Sequence, residues 1–192
     1  MNNGACRHVL AVLMIGSFTT AACAEASASD RFAADPFAKG SRFWSATAAG
    51  SRKPSLAWFA LTQFKVNYYL VDNLAIQYGG QFGYVESQRT TGGAFGGPEL
   101  GMRWHVATGV RWSLYIESLA GAVYQQHPIT PASLRFNFDL QGGGGATYRV
   151  SDSTMFAGGV RSHHLSNARV HGRNQNMGYD AVMLYLELLK SF

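Results

Sequence analysis

Apolar and polar residues alternate along eight segments of this chain, and turn residues bound each segment. Because successive side chains of a β-strand point to opposite faces, the alternation predicts strands with one apolar face and one polar face. Most of the segments exceed the ~9–11 residues that a tilted strand needs to cross a bilayer. The predicted strands cover residues 41–49, 56–70, 74–85, 98–106, 111–125, 134–149, 155–166 and 179–191.

The connections between these strands alternate in length. Tight turns are predicted at 71–73, 107–109 and 151–153, and longer links at 50–55, 86–97, 126–133 and 167–178. Tight turns at one end and longer loops at the other are typical of outer-membrane barrels. The sequence therefore predicts an all-β fold, an eight-stranded antiparallel transmembrane β-barrel located in the cell outer membrane.

The charged residues of the predicted strands share the polar face. They are Lys65, Glu99, Arg103, Glu117, Arg135, Asp139, Arg161 and Glu187. Since eight strands enclose an interior that side chains fill, this pattern predicts a structural network of paired charges in the lumen. A soluble β-sandwich, with its apolar face inward, would show the same alternation. The strand lengths, the aromatic-rich apolar face and the terminal Phe192 favour the membrane barrel.

The first 24 residues are predicted to be a secretory signal peptide, which leaves 25–192 as the barrel domain. A membrane anchor and lipoprotein processing at Cys23 are the alternatives for this segment. Both cysteines, Cys6 and Cys23, fall in the segment to be removed, so disulfides and cysteine nucleophiles are excluded from the remainder. For an exported chain, the net charge of +5 favours an anionic membrane surface over nucleic acid as a partner.

Three polar residues interrupt the apolar face where the last two strands meet their long loop. His164 and Ser166 share the apolar face of the seventh strand, and Asp180 shares that of the eighth. Exposing an imidazole, a hydroxyl and a carboxylate to lipid is unfavourable unless they hydrogen-bond one another. Such a bonded trio also activates a nucleophile. The pattern therefore favours a hydrolytic site, and a polar rim at the headgroup level is the alternative.

Two short motifs carry these residues: His164-Leu165-Ser166-Asn167 and Asn176-Met177-Gly178-Tyr179-Asp180. In these motifs the chain resembles the outer-membrane lipid A 3-O-deacylases, the PagL family, which are eight-stranded barrels. The resemblance implies Ser166 as the nucleophile, His164 as general base and then acid, and Asp180 as the carboxylate that orients His164. It also implies Asn167 as an oxyanion donor, with Asn176 and Gly178 as supporting residues. The acid is more usually Glu in this family, so Asp180 is one methylene shorter.

The resemblance implies a serine esterase with a Ser-His-Asp triad. Its substrate would be lipid A of lipopolysaccharide in the outer leaflet, from which it removes the ester-linked 3-hydroxyacyl chain at the 3-position. No cofactor and no metal are expected. Apolar residues beside the trio are predicted to seat acyl chains, namely Val160, Val182 and Leu184. Basic residues of the long loops are candidates for contacting phosphates, namely Arg52, Lys53, Arg89, Arg169 and Arg173.

Other functions fit the same alternation. A non-enzymatic structural or adhesion barrel is the main alternative, and it would leave His164, Ser166 and Asp180 individually replaceable. A small channel is disfavoured by the charge-filled lumen. An acyl transferase would need a second site for the acceptor, which the sequence does not indicate. The sequence leaves the oligomeric state open.

Overall fold

The structure, a computed structural model, describes residues 35–170, 172–176 and 178–192. The predicted signal peptide lies outside the described residues. Each strand pairs antiparallel with the next, and the last pairs with the first to close a barrel. The strands are β1 (Arg42–Lys53), β2 (Ala57–Val71), β3 (Leu74–Ser87), β4 (Gly93–Thr108), β5 (Trp112–Gln125), β6 (Phe136–Ser151), β7 (Thr154–Ser166) and β8 (Tyr179–Ser191). The predicted fold class is confirmed.

All eight predicted strands are present, but β1 and β4 are longer than predicted. The link expected at 50–55 is a turn of residues 54–56, and β4 begins at Gly93, within the link expected at 86–97. In β4 the glycine-rich start hides the alternation, because glycine has no side chain to assign to a face. Glycine is nevertheless required there, since a Cβ on Gly97 would lie 1.8 Å from the carbonyl oxygen of Ala122 on β5.

Within residues 35–170, 172–176 and 178–192, helical structure is confined to one short element. This 3-10 turn at Arg173–Gln175 lies in the loop between β7 and β8. Among the residues that the structure describes, no helix is long and apolar enough to cross a membrane.

The outer surface of the barrel is apolar, as the alternation predicts. Large side chains exposed there include Trp58, Phe64, Leu100, Met102, Trp104, Phe138, Leu140, Leu184 and Leu186. Leu56, the first residue of the predicted second strand, was expected on this apolar outer face, and that prediction was wrong. It precedes β2, is buried, and packs into an apolar cluster with Phe59 and Tyr179.

The lumen holds a network of buried charges. Glu117 accepts from Arg103 Nη2 at 2.7 Å and from Arg161 Nε at 2.8 Å, and Glu187 pairs with Arg103 and with Lys65. Seven of the eight charged residues predicted for the lumen are buried: Lys65, Glu99, Arg103, Glu117, Asp139, Arg161 and Glu187. The prediction was wrong for Arg135, which is exposed and precedes β6. Lys65, Arg103 and Arg161 are thus paired with Glu117 and Glu187, as burial of charge requires. Glu99 instead accepts a hydrogen bond from Gln63.

Buried apolar clusters close both ends of the lumen. At the end with turns 72–73, 109–111 and 152–153, here called the turn end, Phe37 packs against Phe43 and Tyr69 and stacks on His105 with 3.8 Å between ring centroids. At the opposite end, here called the loop end, Ile129 of the loop between β5 and β6 is buried in the second cluster. The filled lumen therefore leaves the outer wall as the place for a site accessible to lipid.

Candidate functional site

The pairing of β7 with β8 places His164 directly opposite Asp180. His164 Nδ1 and Asp180 Oδ1 are 2.6 Å apart, a hydrogen-bond distance typical of a charged partner. Both side chains point outward: the His164 side chain is 39% exposed and that of Asp180 is 69% exposed. The shorter aspartate reaches the imidazole because the two residues are cross-strand partners. The carboxylate fixes the orientation of the ring and leaves Nε2 as the nitrogen available for a second partner.

Ser166 ends β7 on the same outward face as His164. Both line a cleft of about 680 Å³ at the loop end, whose other lining residues are Ala168, Arg169, Asn176 and Gly178. Within the described part of the chain, Ser166 Oγ makes no hydrogen bond. The neighbouring outward serine, Ser162, differs, because its hydroxyl donates to the carbonyl oxygen of Gly142 at 3.0 Å. Ser162 therefore satisfies the β6 backbone, whereas the Ser166 hydroxyl is available to the cleft.

Asn167 lies behind the cleft and not in it. It is 2% exposed. Its Nδ2 donates to the carbonyl oxygen of Gln175 at 2.7 Å, and its Oδ1 accepts from the backbone N–H of Arg169 at 2.9 Å. Its own backbone N–H donates to Asn176 Oδ1 at 2.9 Å. The two asparagines therefore cross-link the two ends of the loop between β7 and β8, and this arrangement supports the shape of the cleft.

Two features of the cleft could not be read from the sequence. Ala168 and Arg169 both have left-handed backbone conformations, with φ of 52° and 62°. Such values are uncommon for residues other than glycine, and alanine carries no sequence signal for them. The turn they make brings Arg169, whose guanidinium can meet an anion, into the cleft lining. Gly178 keeps the opposite wall open, since a Cβ there would lie 3.8 Å from Asp180 Oδ2.

A second polar cluster lies on the lumen side, directly behind the outward pair. His163 and Tyr179, the residues preceding His164 and Asp180, both contact Ser51 of β1. Ser51 Oγ is 2.7 Å from His163 Nδ1 and 3.0 Å from the Tyr179 hydroxyl. His163 Nε2 lies 3.2 Å from Asp139 Oδ1 of β6. We call these four residues the lumen relay: Ser51, Asp139, His163 and Tyr179. The alternation along the seventh strand puts His163 on the polar face, but its partners are too distant in sequence to be identified from it.

The contacts of His163 indicate which of its ring nitrogens carries the proton. Nε2 lies 3.2 Å from the Asp139 carboxylate, so we assign the proton to Nε2, and Nδ1 then accepts from the Ser51 hydroxyl. Ser51 Oγ then accepts from Tyr179. Asp139 Oδ2 accepts from Gln81 at 2.6 Å and from Gln141 at 2.9 Å. The relay thus joins β6, β7, β8 and β1 beneath the outward pair.

The remaining predicted contacts lie on both sides of β8. Val182, Leu184 and Arg52 line a second groove, which β8 separates from the cleft. Val160 is 48% exposed on β7. Among the described residues, no group of three or more His, Cys, Asp or Glu side chains is arranged to hold a metal ion.

Comparison with known proteins gives one family and a set of barrels. A family model described as lipid A 3-O-deacylase (PagL) matches residues 52–188. No curated protein sequence matches the chain. The structure is similar to Neisserial surface protein A (NspA), with a TM-score of 0.54, 12% identity, and coverage of 80% of this chain and 98% of that one. It is also similar to the N-terminal barrel domain of Pseudomonas aeruginosa OprF, with a TM-score of 0.46, 14% identity, and coverage of 80% and 98%. The likeness to NspA shows the fold alone.

Proposed function

Because this chain belongs to the lipid A 3-O-deacylase (PagL) family, we propose that it hydrolyses the ester-linked 3-hydroxyacyl chain at the 3-position of lipid A. The observation that carries the proposal is the hydrogen bond of 2.6 Å between His164 and Asp180 on the outward face, with Ser166 in the same cleft. A hydroxyl, an imidazole and a carboxylate on a lipid-facing wall fit acyl-ester hydrolysis better than they fit a structural surface.

The proposed reaction proceeds through an acyl-serine. His164 Nε2 takes the proton of Ser166 as Ser166 Oγ attacks the ester carbonyl carbon. When the tetrahedral intermediate collapses, the bond to the sugar oxygen breaks, and His164 gives its proton to that oxygen. Water then attacks the acyl-serine with His164 as the base, which releases the 3-hydroxy fatty acid and restores the Ser166 hydroxyl. Asp180 holds the ring in the required tautomer and stabilises the imidazolium.

The oxyanion needs donors aimed into the cleft, and the side chain of Asn167 is already bonded to the loop. We assign Asn167 and Asn176 a supporting role, in which they hold the turn at Ala168 and Arg169. The backbone N–H of Ala168 is the donor we propose in place of the Asn167 amide, since Ala168 lines the cleft. A donor of this kind is typically worth ~3 kcal/mol of transition-state stabilisation. Gly178 supports the site by leaving room beside Asp180.

The location of the cleft supports one orientation of the protein in the outer membrane. Barrels of this class place short turns on the periplasmic side and longer loops outside. The cleft lies at the loop end, so His164 and Ser166 would sit at the level of the outer leaflet. Arg169 lines the cleft together with His164 and Ser166, and we propose that it contacts a phosphate of the glycolipid.

The direct test is mass spectrometry of lipid A incubated with the purified, folded barrel in detergent. We expect loss of one 3-hydroxyacyl chain from the 3-position and release of the free 3-hydroxy fatty acid. The Ser166→Ala variant is expected to leave the substrate intact. A parent protein that releases no fatty acid, or a Ser166→Ala variant as active as the parent, would instead support the non-enzymatic barrel.

A further inference from the structure

A second groove runs along the outer wall on the side of β8 away from the cleft. Its volume is about 810 Å³. Val182 and Leu184 of β8 form one side, Trp58 of β2 forms the other, and Gly50 and Arg52 of β1 lie between them. Leu184 pairs with Gly50, and Gly50 pairs with Ala60 on β2, so two small residues lie side by side across the strands. The groove is therefore an apolar channel, and the small residues at its base make it deeper than the surrounding outer wall.

Gly50 gives the groove its depth, because it has no side chain to fill the base. Several glycines of the barrel are required by close strand approach, because a Cβ on Gly83 or Gly143 would lie 2.2 Å or 2.0 Å from a backbone oxygen of the next strand. Gly50 is different. A Cβ there would have its nearest contact at 3.5 Å, from the carbonyl oxygen of Phe59, which is ordinary van der Waals distance. The backbone can thus accept a side chain at Gly50, and its absence leaves a furrow on the outer surface.

The groove borders β8, the strand that carries Asp180, and has a charged residue at one end. Val182, which lines it, is two residues from Asp180 and on the same outward face of β8. Arg52 pairs with Trp58 and is one outward position nearer the loop end than Gly50. The groove therefore offers an apolar channel toward the middle of the membrane and a cation toward its surface. An anionic glycolipid with several acyl chains has the matching arrangement of charge and hydrocarbon.

We propose that this groove binds an acyl chain of the substrate that is not hydrolysed, while Arg52 contacts a phosphate of the same molecule. The inference rests on the proposed function and extends it, because it makes recognition depend on a second chain on the other side of β8. The chain that is cut enters the cleft beside His164 and Ser166. A neighbouring chain of the same sugar passes over β8, lies on Gly50 and packs against Trp58.

The test fills the groove and compares two substrates. We expect Gly50→Leu to raise KM for multi-acylated lipid A about ten-fold, the equivalent of losing burial of one or two methylene groups. Its turnover of a single-chain p-nitrophenyl acyl ester should equal that of the parent. The matched control is Gly80→Leu on β3, an outward glycine remote from β8 whose Cβ would lie 3.4 Å from the Gly97 carbonyl oxygen. It should leave both substrates unaffected.

A second variant tests the charge independently of the groove floor. Arg52→Gln should raise KM for phosphorylated lipid A and leave KM for the dephosphorylated glycolipid unchanged. Equal KM values for Gly50→Leu and the parent on lipid A, or an equal loss on the single-chain ester, would overturn the inference while the proposed function stands. A parent that cleaves neither substrate overturns the proposed function and this inference with it.

Discussion

At the scale of single residues, the site depends on which side chains of the outer wall have partners. Asp180 is bonded to His164, and Ser162 is bonded to the β6 backbone, whereas the Ser166 hydroxyl faces the cleft. In the sequence the aspartate appears as a shortened version of the family acid. In the barrel its position opposite His164 compensates for the missing methylene. Substitutions of Asp180, Ser162 and Ser166 therefore test the site directly.

Asp180→Asn should abolish most of the activity, because the amide keeps the shape but no longer selects the tautomer that leaves Nε2 free to accept a proton. By analogy with serine-protease triads, which are the source of the figure, the loss could reach ~10⁴-fold in kcat. Asp180→Glu should retain measurable hydrolysis. The measurement is release of 3-hydroxy fatty acid from lipid A. Parent-like hydrolysis by Asp180→Asn, with Ser166→Ala inactive, would exclude Asp180 as the triad acid.

The two outward serines of β7 form a matched pair for a second prediction. Ser166→Ala should remove detectable acyl-serine formation, whereas Ser162→Ala should change kcat less than about two-fold, since Ser162 only satisfies a backbone carbonyl. Labelling with a fluorophosphonate ester, followed by intact-mass measurement, reports the nucleophile directly. We expect the label on the Ser162→Ala variant and not on the Ser166→Ala variant. The reverse pattern would show that Ser162 is the nucleophile and that Ser166 is not.

At the scale of strands, the lumen relay joins four strands beneath the cleft. His163 and Tyr179 alternate with His164 and Asp180, so each strand end contributes one residue to the outer wall and one to the relay. Ser51 binds both inner residues at once. The β7–β8 pairing ends at Leu165 and Tyr179, next to the outward pair. We therefore expect the relay to limit the movement of the two strand ends relative to each other.

Ser51→Ala should lower kcat by about three- to ten-fold and leave KM unchanged, because it leaves His163 and Tyr179 without their shared partner while the outer surface stays intact. Losing the two buried hydrogen bonds should also lower the free energy of unfolding by ~1–3 kcal/mol. Ser51→Thr, which keeps the hydroxyl, should restore most of kcat. If Ser51→Ala and Ser51→Thr lose the same activity, the relay has no positioning role beyond packing.

Much of this strand arrangement follows from the sequence, and the exceptions have physical causes. Alternation identifies β2, β5 and β8 well because each has large apolar residues on one face. It fails at the start of β4, where the glycines that allow close approach to β5 carry no pattern. By contrast, the sequence is sufficient to predict that His164, Ser166 and Asp180 share the outer face, since all three belong to short local motifs. The lumen relay and the groove could not be predicted from the sequence, because they depend on the register of β1 against β2 and β8.

At the scale of the whole molecule, the barrel is filled by paired charges and closed by apolar clusters. Glu117 is the centre of this interior, since it bonds Arg103, Arg161 and the Tyr185 hydroxyl. Removing one charge from such a set leaves its partners buried and unbalanced, which costs more than the pair itself contributes. Stability of the barrel should therefore be sensitive to lumen residues that lie well away from the cleft.

Glu117→Gln should lower the free energy of unfolding by about 3–5 kcal/mol, because two guanidinium groups lose their shared carboxylate. Asp152→Asn, in the exposed turn between β6 and β7, is the matched control and should change stability by less than about 0.5 kcal/mol. Urea titration in lipid vesicles, followed by the heat-modifiable gel shift of the folded barrel, measures both. Equal midpoints for the two variants would show that the lumen network contributes little.

The outward placement of His164 and Asp180 also determines how a lipid would arrive. A glycolipid reaching this wall travels sideways in the plane of the leaflet and is never extracted into water. Encounter is then two-dimensional, and its frequency follows the mole fraction of substrate at the surface. We expect turnover in mixed micelles to fall when lipid A is diluted with inert detergent at constant total lipid A. Adding micelles of unchanged composition should leave it constant, so that the enzyme responds to the composition of its immediate surroundings.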